Sequence, residues 1–207
     1  MEHTTPSRKT DRRTLYTRTV VKDSLLELLK NTTYEKITVT AVCRQAEITR
    51  TTFYLHFDDL TDVLDEVLDD ALRVAEHGSA NPNEDMLKML DLITSGTAPE
   101  QFHTFDTLLP ACQRVADHPK YRPLFQDDSL SSYIIGRIYL AEKEKMLPLL
   151  MEHCRLSLKE ADKVYMLVIY GAFYVNKSMN WKKDEQWYRL QSTLAKFILG
   201  GFNALKP

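Results

Sequence analysis

A group of hydroxyl-bearing side chains between residues 38 and 54 has the residue types and spacing to bind phosphate. Its members are Thr38, Thr40, Thr49, Thr51, Thr52 and Tyr54. Thr38 and Thr49 stand where helices are predicted to begin, and there the exposed backbone N–H groups and the helix dipole already favour an anion. Arg50 lies among them and has the forked donor geometry that reads guanine. Hydroxyls that position a phosphate backbone, beside an arginine that reads a base, favour contact with DNA.

Two short helices with a tight turn between them are predicted to hold these side chains. Thr38 caps the first, whose apolar positions are spaced i, i+3, i+4 and i+7. These positions are Val39, Val42, Cys43 and Ala46. Thr49 caps the second, which is predicted to continue to Phe57, with Phe53 and Phe57 in the core. A longer amphipathic helix from Asp11 to Asn31 precedes them. Together these are the parts of a helix-turn-helix, whose second helix enters the major groove.

The formal net charge of -2 conceals an asymmetry along the chain. Residues 8–57 carry 10 basic and 5 acidic side chains, whereas residues 58–207 carry 17 basic and 23 acidic ones. A cationic first part joined to an anionic remainder indicates that only the first part meets a polyanion. Such a run of charge by itself also fits a solvated surface, but it coincides with the group of threonines, and the two together favour a DNA-binding surface.

The segments Ile37 to Ala46 and Ile48 to Phe57 together resemble the DNA-binding signature of the TetR family of bacterial transcriptional regulators. The resemblance covers residues 12–72, and the rest of the chain is similar only in its length and helical pattern. It implies a homodimer in which the first three helices bind DNA, the following helices form a ligand-responsive body, and the last two helices dimerise. By position, the residues that match phosphate contacts are Thr38, Thr49, Thr52, Tyr54 and His56, and those that match base-facing positions are Arg50, Thr51 and Leu55.

At two positions the chain departs from the family's usual residues. Glu47 stands in the turn where the family usually has glycine, and a left-handed backbone there costs a glutamate about 1 kcal/mol. Leu60 stands where the family usually has a lysine that reaches phosphate, so we expect that contact to be missing. Basic residues near the N-terminus can compensate by lying along the DNA backbone or in the minor groove. These are Arg8, Lys9, Arg12 and Arg13.

The composition and the apolar spacing favour an all-α fold. Glycine is scarce, with 6 in 207 residues, and helical spacing recurs along the chain without a strand pattern. We predict about nine helices, with an N-terminal three-helix helix-turn-helix DNA-binding domain followed by a helical ligand-binding and dimerisation domain. The predicted organisation is a flexible basic arm at residues 1–9, the DNA-binding domain at 10–58, and the effector-binding and dimerisation domain at 59–207.

The cysteines and the apolar stretches favour a cytoplasmic protein. The 3 cysteines are odd in number and far apart, and no leader pattern opens the sequence. Cys43 is expected in the core, and a redox pair of Cys112 and Cys154 is an alternative that no spacing supports. The longest apolar stretch without a charged residue, residues 164–175, is shorter than the roughly 20 residues that cross a membrane. We therefore expect no membrane partner.

Aromatic side chains are frequent in the middle of the chain, and several carry a hydroxyl. We expect some of them to line an apolar cavity for a small-molecule effector, although a helical stripe of aromatics also fits simple core packing. The candidates are Phe102, Phe105, Tyr121, Phe125, Tyr133, Tyr139, Tyr170 and Tyr174. None of the 6 histidines has a metal-ligand spacing or belongs to a triad motif, and no glycine-rich phosphate loop occurs. We therefore expect no catalytic site, metal or cofactor.

These observations lead to one main hypothesis and two alternatives. The main hypothesis is a homodimeric, sequence-specific transcriptional repressor that a small molecule releases from a palindromic operator. The first alternative retains DNA binding but replaces the ligand with a protein partner, in which case the protein could activate transcription. The second is a helical binding or catalytic module whose first three helices are only a scaffold.

Overall fold

Helices form all the regular structure in the part of the chain that the computed structural model describes, residues 8–77 and 111–205. The α-helices in these ranges are α1 (Arg8–Leu29), α2 (Val39–Gln45), α3 (Arg50–Tyr54), α4 (Leu60–His77), α5 (Ala111–Asp117), α6 (Arg122–Gln126), α7 (Ser131–Cys154), α8 (Leu158–Ser178) and α9 (Glu185–Ala204). Short 3-10 helices, Tyr34–Lys36 and Asp128–Leu130, precede α2 and α7. The predicted all-α fold and helix number are confirmed over the described ranges.

α1 begins at Arg8, inside the segment 1–9 that is predicted to be an arm, and residues 1–7 lie outside the described ranges. None of the helices within those ranges has both the length and the apolarity needed to span a membrane.

Side-chain caps mark where several helices begin. The hydroxyl of Thr38 accepts a hydrogen bond from the backbone N–H of Ala41 at the start of α2. The hydroxyl of Thr49 likewise accepts one from Thr52 at the start of α3. A capping box at Ser157 opens α8. Such bonds satisfy N–H groups that have no partner within the helix, and both predicted threonine caps are present.

One continuous apolar core joins the first four helices to the later ones. From α1 it takes Val21 and Leu25, whose side chains are fully buried. Phe53 is also fully buried and Phe57 nearly so, as the sequence predicts. From the later helices and their connections the core includes Leu124, Phe125, Ile134, Ile135, Phe173 and Trp181. Burial of a phenylalanine side chain contributes about 1.5–3 kcal/mol, so Phe53 in α3 and Phe57 just after it attach this segment to the core.

The turn between α2 and α3 contains a left-handed residue, Glu47, with φ 53°. The backbone N–H of Ile48 donates to the carbonyl of Cys43 at 3.0 Å. The N–H of Glu47 donates to the carbonyl of Arg44 at 3.3 Å. This pair of bonds is the Schellman pattern, in which the residue after the helix cap is left-handed. Glu47 thus adopts the conformation that glycine favours, at a cost of about 1 kcal/mol.

We predict that Glu47→Gly raises the free energy of unfolding by about 1 kcal/mol, because glycine has no Cβ to strain a left-handed backbone. Urea denaturation followed by circular dichroism measures the change. The matched control is Gln45→Gly, an exposed position in the last turn of α2, where glycine is expected to lower stability by about 0.5–1 kcal/mol. Equal destabilisation by the two substitutions would contradict strain at Glu47.

Candidate nucleic-acid interface

α3 has one buried side and one exposed side. Phe53 faces the core, where its ring centre lies 5.7 Å from that of Phe57. The exposed residues are Arg50, Thr51, Tyr54 and Leu55, with Tyr54 49% and Leu55 74% exposed. Their spacing of i, i+1, i+4 and i+5 groups them on one side of a helix. α3 therefore presents a cation, hydroxyls and an apolar side chain to solvent on a single surface.

α3 is shorter than the sequence predicts. It ends at Tyr54, so Leu55 and His56 lie in the following turn and not in a helix that reaches Phe57. Leu55, as the C-cap, keeps helical backbone angles and stays on the exposed surface, whereas His56 is half-buried. The N–H of Phe57 still donates to the carbonyl of Phe53 at 3.0 Å. The helix ends early because the chain must turn to begin α4 while Phe57 stays in the core.

Arg50 is held by residues from both short helices. Its guanidinium donates to the hydroxyl of Tyr54 at 3.3 Å and to that of Thr40 at 3.5 Å. The guanidinium carbon also lies 5.8 Å from the centre of the Tyr54 ring, within the range of a cation–π contact. Restraint of a long side chain before binding lowers the entropy that it loses on binding. Three residues that the sequence analysis singled out are thus brought together over the exposed side of α3.

The threonines of this surface differ in their surroundings. Thr38 and Thr49 are caps, but a hydroxyl oxygen that accepts from a backbone N–H keeps its own hydrogen to donate. The Thr49 hydroxyl lies 2.9 Å from that of half-buried Thr52, so these two share a hydrogen bond. Thr40 and Thr51 are exposed. All five therefore stay near the surface, and Thr52 is the least accessible of them.

Only part of the positive charge of residues 8–57 is available at the surface. Arg18 and Lys22 form ion pairs with carboxylates of α4, and Lys30 pairs with Glu27 one turn earlier on its own helix. The cations that are exposed and have no ion pair within the described residues are Arg12, Arg13, Lys36, Arg44 and Arg50. Leu60 is half-buried against the core and supplies no charge at the start of α4. The cationic surface is therefore smaller than the sequence count indicates.

Some of the aromatic effector candidates are part of the apolar core. Tyr121 and Phe125 are buried, and the Phe125 ring packs edge-on against Trp181 with their centres 5.0 Å apart. Phe102 and Phe105 lie outside the described residues. For Tyr121 and Phe125 the packing favours the simpler interpretation that the sequence analysis left open, a role in the core.

Other candidates bond to carboxylates of the same chain. The hydroxyl of Tyr133 donates to Asp65 at 2.5 Å, and burial together with this hydrogen bond raises the pKa of Tyr133 to about 12. The hydroxyl of Tyr139 donates to Asp162, and this hydrogen bond together with burial raises the pKa of Tyr139 to about 12. Both tyrosines are therefore neutral donors at physiological pH. The remaining candidates are half-buried Tyr170 and exposed Tyr174. An effector site among these residues stays a prediction.

Arg18 has a role that its sequence pattern does not predict, because the local pattern marks it only as a positive charge. It bonds both Glu66 on α4 and the backbone that follows α3. A signal was present in the spacing: Arg18 and Lys22 are one turn apart on one helix, and Glu66 and Asp70 are one turn apart on another. Nothing in the local pattern indicates that these two helices face each other.

Comparison of the chain with models of protein families, with curated proteins and with solved structures found no match. A functional proposal therefore depends on the exposed side of α3, its neighbours and their charge.

We predict that Thr49→Ala lowers the free energy of unfolding by about 1 kcal/mol, because the substitution removes the cap of α3. The matched control is Thr51→Ala, an exposed threonine of the same helix that caps nothing, and it is expected to change stability by less than about 0.5 kcal/mol. Chemical denaturation of both variants gives the comparison. Equal stability of the two variants would show that the cap contributes nothing measurable.

Proposed function

We propose that this chain is a cytoplasmic, sequence-specific DNA-binding transcriptional regulator, in which α2 and α3 act as a helix-turn-helix. One observation carries the proposal: Phe53 anchors α3 on one side, while Arg50, Tyr54 and Leu55 are exposed on the other. The major groove admits an α-helix, and its base edges differ enough for side chains on one face to distinguish them. In this proposal Arg50 reads guanine and Leu55 contacts a thymine methyl group, whereas Tyr54 contacts phosphate.

The distribution of charge and hydroxyls supports the same proposal. The exposed, unpaired cations of α1 to α3 fit a surface that meets the DNA backbone, and phosphate contacts of this kind supply most of the non-specific affinity. Hydroxyl and imidazole side chains around α3 add phosphate contacts that set the register on the duplex. These proposed contacts are Thr38, Thr40, Thr49, Thr52 and His56, with Thr51 facing the bases.

We propose that the protein acts as a homodimer through α8 and α9. Leu167 of α8 is 76% exposed and Phe197 of α9 is 79% exposed. At Gly171 and Gly200, apart from each glycine's chain neighbours and its own helix backbone, no atom of the described residues lies within 4 Å of the place a Cβ would take, so a second chain could approach closely there. Apolar surface on two long helices suits a four-helix interface between two copies. A dimer would set two α3 helices about 34–36 Å apart, the spacing of successive major grooves on one face of a palindromic operator.

The proposal includes repression that a small-molecule effector relieves. A ligand that fits only a body conformation with a different spacing of the two α3 helices shifts the population away from DNA. The support for this part is the resemblance of residues 12–72 to the TetR family. Release of bound DNA by a cell extract from which proteins have been filtered would favour a small molecule over a protein partner.

Selection of bound sites from random double-stranded DNA tests the proposal. We expect the selected site to be a palindrome. In Arg50→Ala, the preference for one base over the others is expected to fall by about 1–3 kcal/mol at one position of each half-site. The control Arg12→Ala removes an exposed cation of α1 and is expected to weaken binding to all DNA sequences alike. Fluorescence anisotropy on the selected site and its single-base variants measures both. Absence of any enriched site contradicts the proposed function, and an unchanged preference in Arg50→Ala removes Arg50 from the reading surface.

The dimer is tested by a charge in the exposed apolar surface. Phe197→Glu is expected to yield folded monomers that bind the palindrome much more weakly, because a buried unpaired carboxylate opposes association. The control is Leu140→Glu on α7, which is 54% exposed and lies outside the proposed interface. Light scattering gives the mass of each variant. A wild-type chain that is monomeric at micromolar concentration, with and without DNA, would contradict the homodimer.

A further inference from the structure

The guanidinium of Arg18 contacts the turn that follows α3 and the side of α4 at the same time. Its Nη1 donates to the backbone carbonyl of His56 at 2.8 Å, in the turn that follows α3. Its Nε donates to Glu66 at 3.3 Å, and its Nη2 bonds the same carboxylate. The guanidinium carbon also lies 4.6 Å from the centre of the buried Phe57 ring. Each of the three guanidinium nitrogens is thus engaged within the protein.

Lys22 provides a natural comparison, since it joins the same two helices and its ion pairs are with α4 alone. Its Nζ lies 2.5 Å from an oxygen of Asp70 and 3.6 Å from one of Glu66. Lys22 and Arg18 are one turn apart on α1, and their two acidic partners are one turn apart on α4. The two cations therefore share the attachment of α1 to α4, and the bond to the His56 carbonyl distinguishes Arg18.

α3 needs contacts of this kind because a helix of five residues is too short to be stable or to keep its direction alone. The last carbonyls of a helix lack partners within it, and a cation beside them is favourable both as a donor and through the helix dipole. The last turn of α3 has no basic residue of its own, and Arg18 places a cation from α1 at the carbonyl of His56, just past the end of the helix. A planar guanidinium can hold a carbonyl and a carboxylate together, whereas a lysine ammonium is a point donor.

We propose that Arg18 is a positioning residue for DNA recognition, which holds the end of α3 against α1 and α4 so that the exposed side of α3 meets the duplex at a fixed angle. The inference rests on the proposed function, because it concerns the same surface. Arg18 acts through the His56 carbonyl and the Phe57 ring and makes no phosphate contact. Unlike the exposed cations, it contributes nothing to the salt dependence of binding.

The test compares Arg18→Met with Lys22→Met. Methionine retains the apolar stem of either side chain and removes its charge, so each variant loses an attachment between α1 and α4. Only Arg18→Met also loses the bond to the turn after α3. Affinity for the site selected by the wild-type protein is measured over a series of salt concentrations. Without DNA, hydrogen exchange is measured at the amide of Phe57, which is bonded to the carbonyl of Phe53.

We expect the affinity of Arg18→Met for the selected site to fall by about tenfold or more, while its dependence on salt concentration stays that of the wild-type protein. Lys22→Met is expected to keep its affinity within about twofold. The Phe57 amide is expected to exchange faster in Arg18→Met than in Lys22→Met. Arg18→Lys is expected not to restore affinity, because lysine lacks the planar fork of donors through which Arg18 bonds the His56 carbonyl and both oxygens of the Glu66 carboxylate at once.

Two results on DNA would overturn the inference while leaving the proposed function intact. If the slope of log binding constant against log salt concentration is smaller by about 1 in Arg18→Met, then Arg18 contacts a phosphate. Equal losses of affinity in the two methionine variants would assign the effect to the attachment of α1 to α4 alone. If the wild-type protein selects no DNA site, the proposed function fails, and the recognition role of Arg18 fails with it. Equal exchange of the Phe57 amide in both variants would separately show that Arg18 does not fix the end of α3.

Discussion

The orientation of α3 depends on the burial of one ring, that of Phe53. α3 has five residues, and a helix of that length does not persist alone in water. With Phe53 fully buried in the common core, the side chains of Thr51, Tyr54 and Leu55 must point away from it, because successive helical residues differ in direction by about 100°. The exposed side of α3 is therefore a consequence of packing beneath it, and a change in the core would redirect every group on that surface.

α4 is the helix through which this arrangement is attached to the rest of the molecule. Its apolar side enters the core with Val63, Leu64, Val67, Leu68 and Ala71. Its carboxylates point in two directions, with Glu66 and Asp70 toward α1 and with Asp65 and Asp69 toward Arg137 of α7. Partly exposed ion pairs contribute less than about 1 kcal/mol each, so they define the register between helices more than they stabilise the fold.

The left-handed turn at Glu47 shows that the course of the chain between α2 and α3 is imposed by its neighbours. Ala46 before the turn is buried, and Ile48 after it packs against the same core. Burial of these side chains outweighs the roughly 1 kcal/mol that a left-handed glutamate costs. The turn thus has the geometry that glycine favours, although the residue in it is a glutamate. The strain lies between the two helices that hold Thr40 and Arg50, and it is tolerated because both ends of the turn are anchored.

The sequence by itself was sufficient to predict the all-α fold, the threonine caps at Thr38 and Thr49, and the burial of Phe53. Caps and apolar periods involve residues within about four positions of one another, so a local pattern contains them. DNA binding, homodimer formation and the binding of a small-molecule effector stay predictions. Only the tertiary structure showed that α3 ends at Tyr54, that Thr40 meets Arg50, and that Arg18 pairs with Glu66, 48 residues away. Contacts between helices depend on the angle and register at which they pack, and these are decided by the whole core at once.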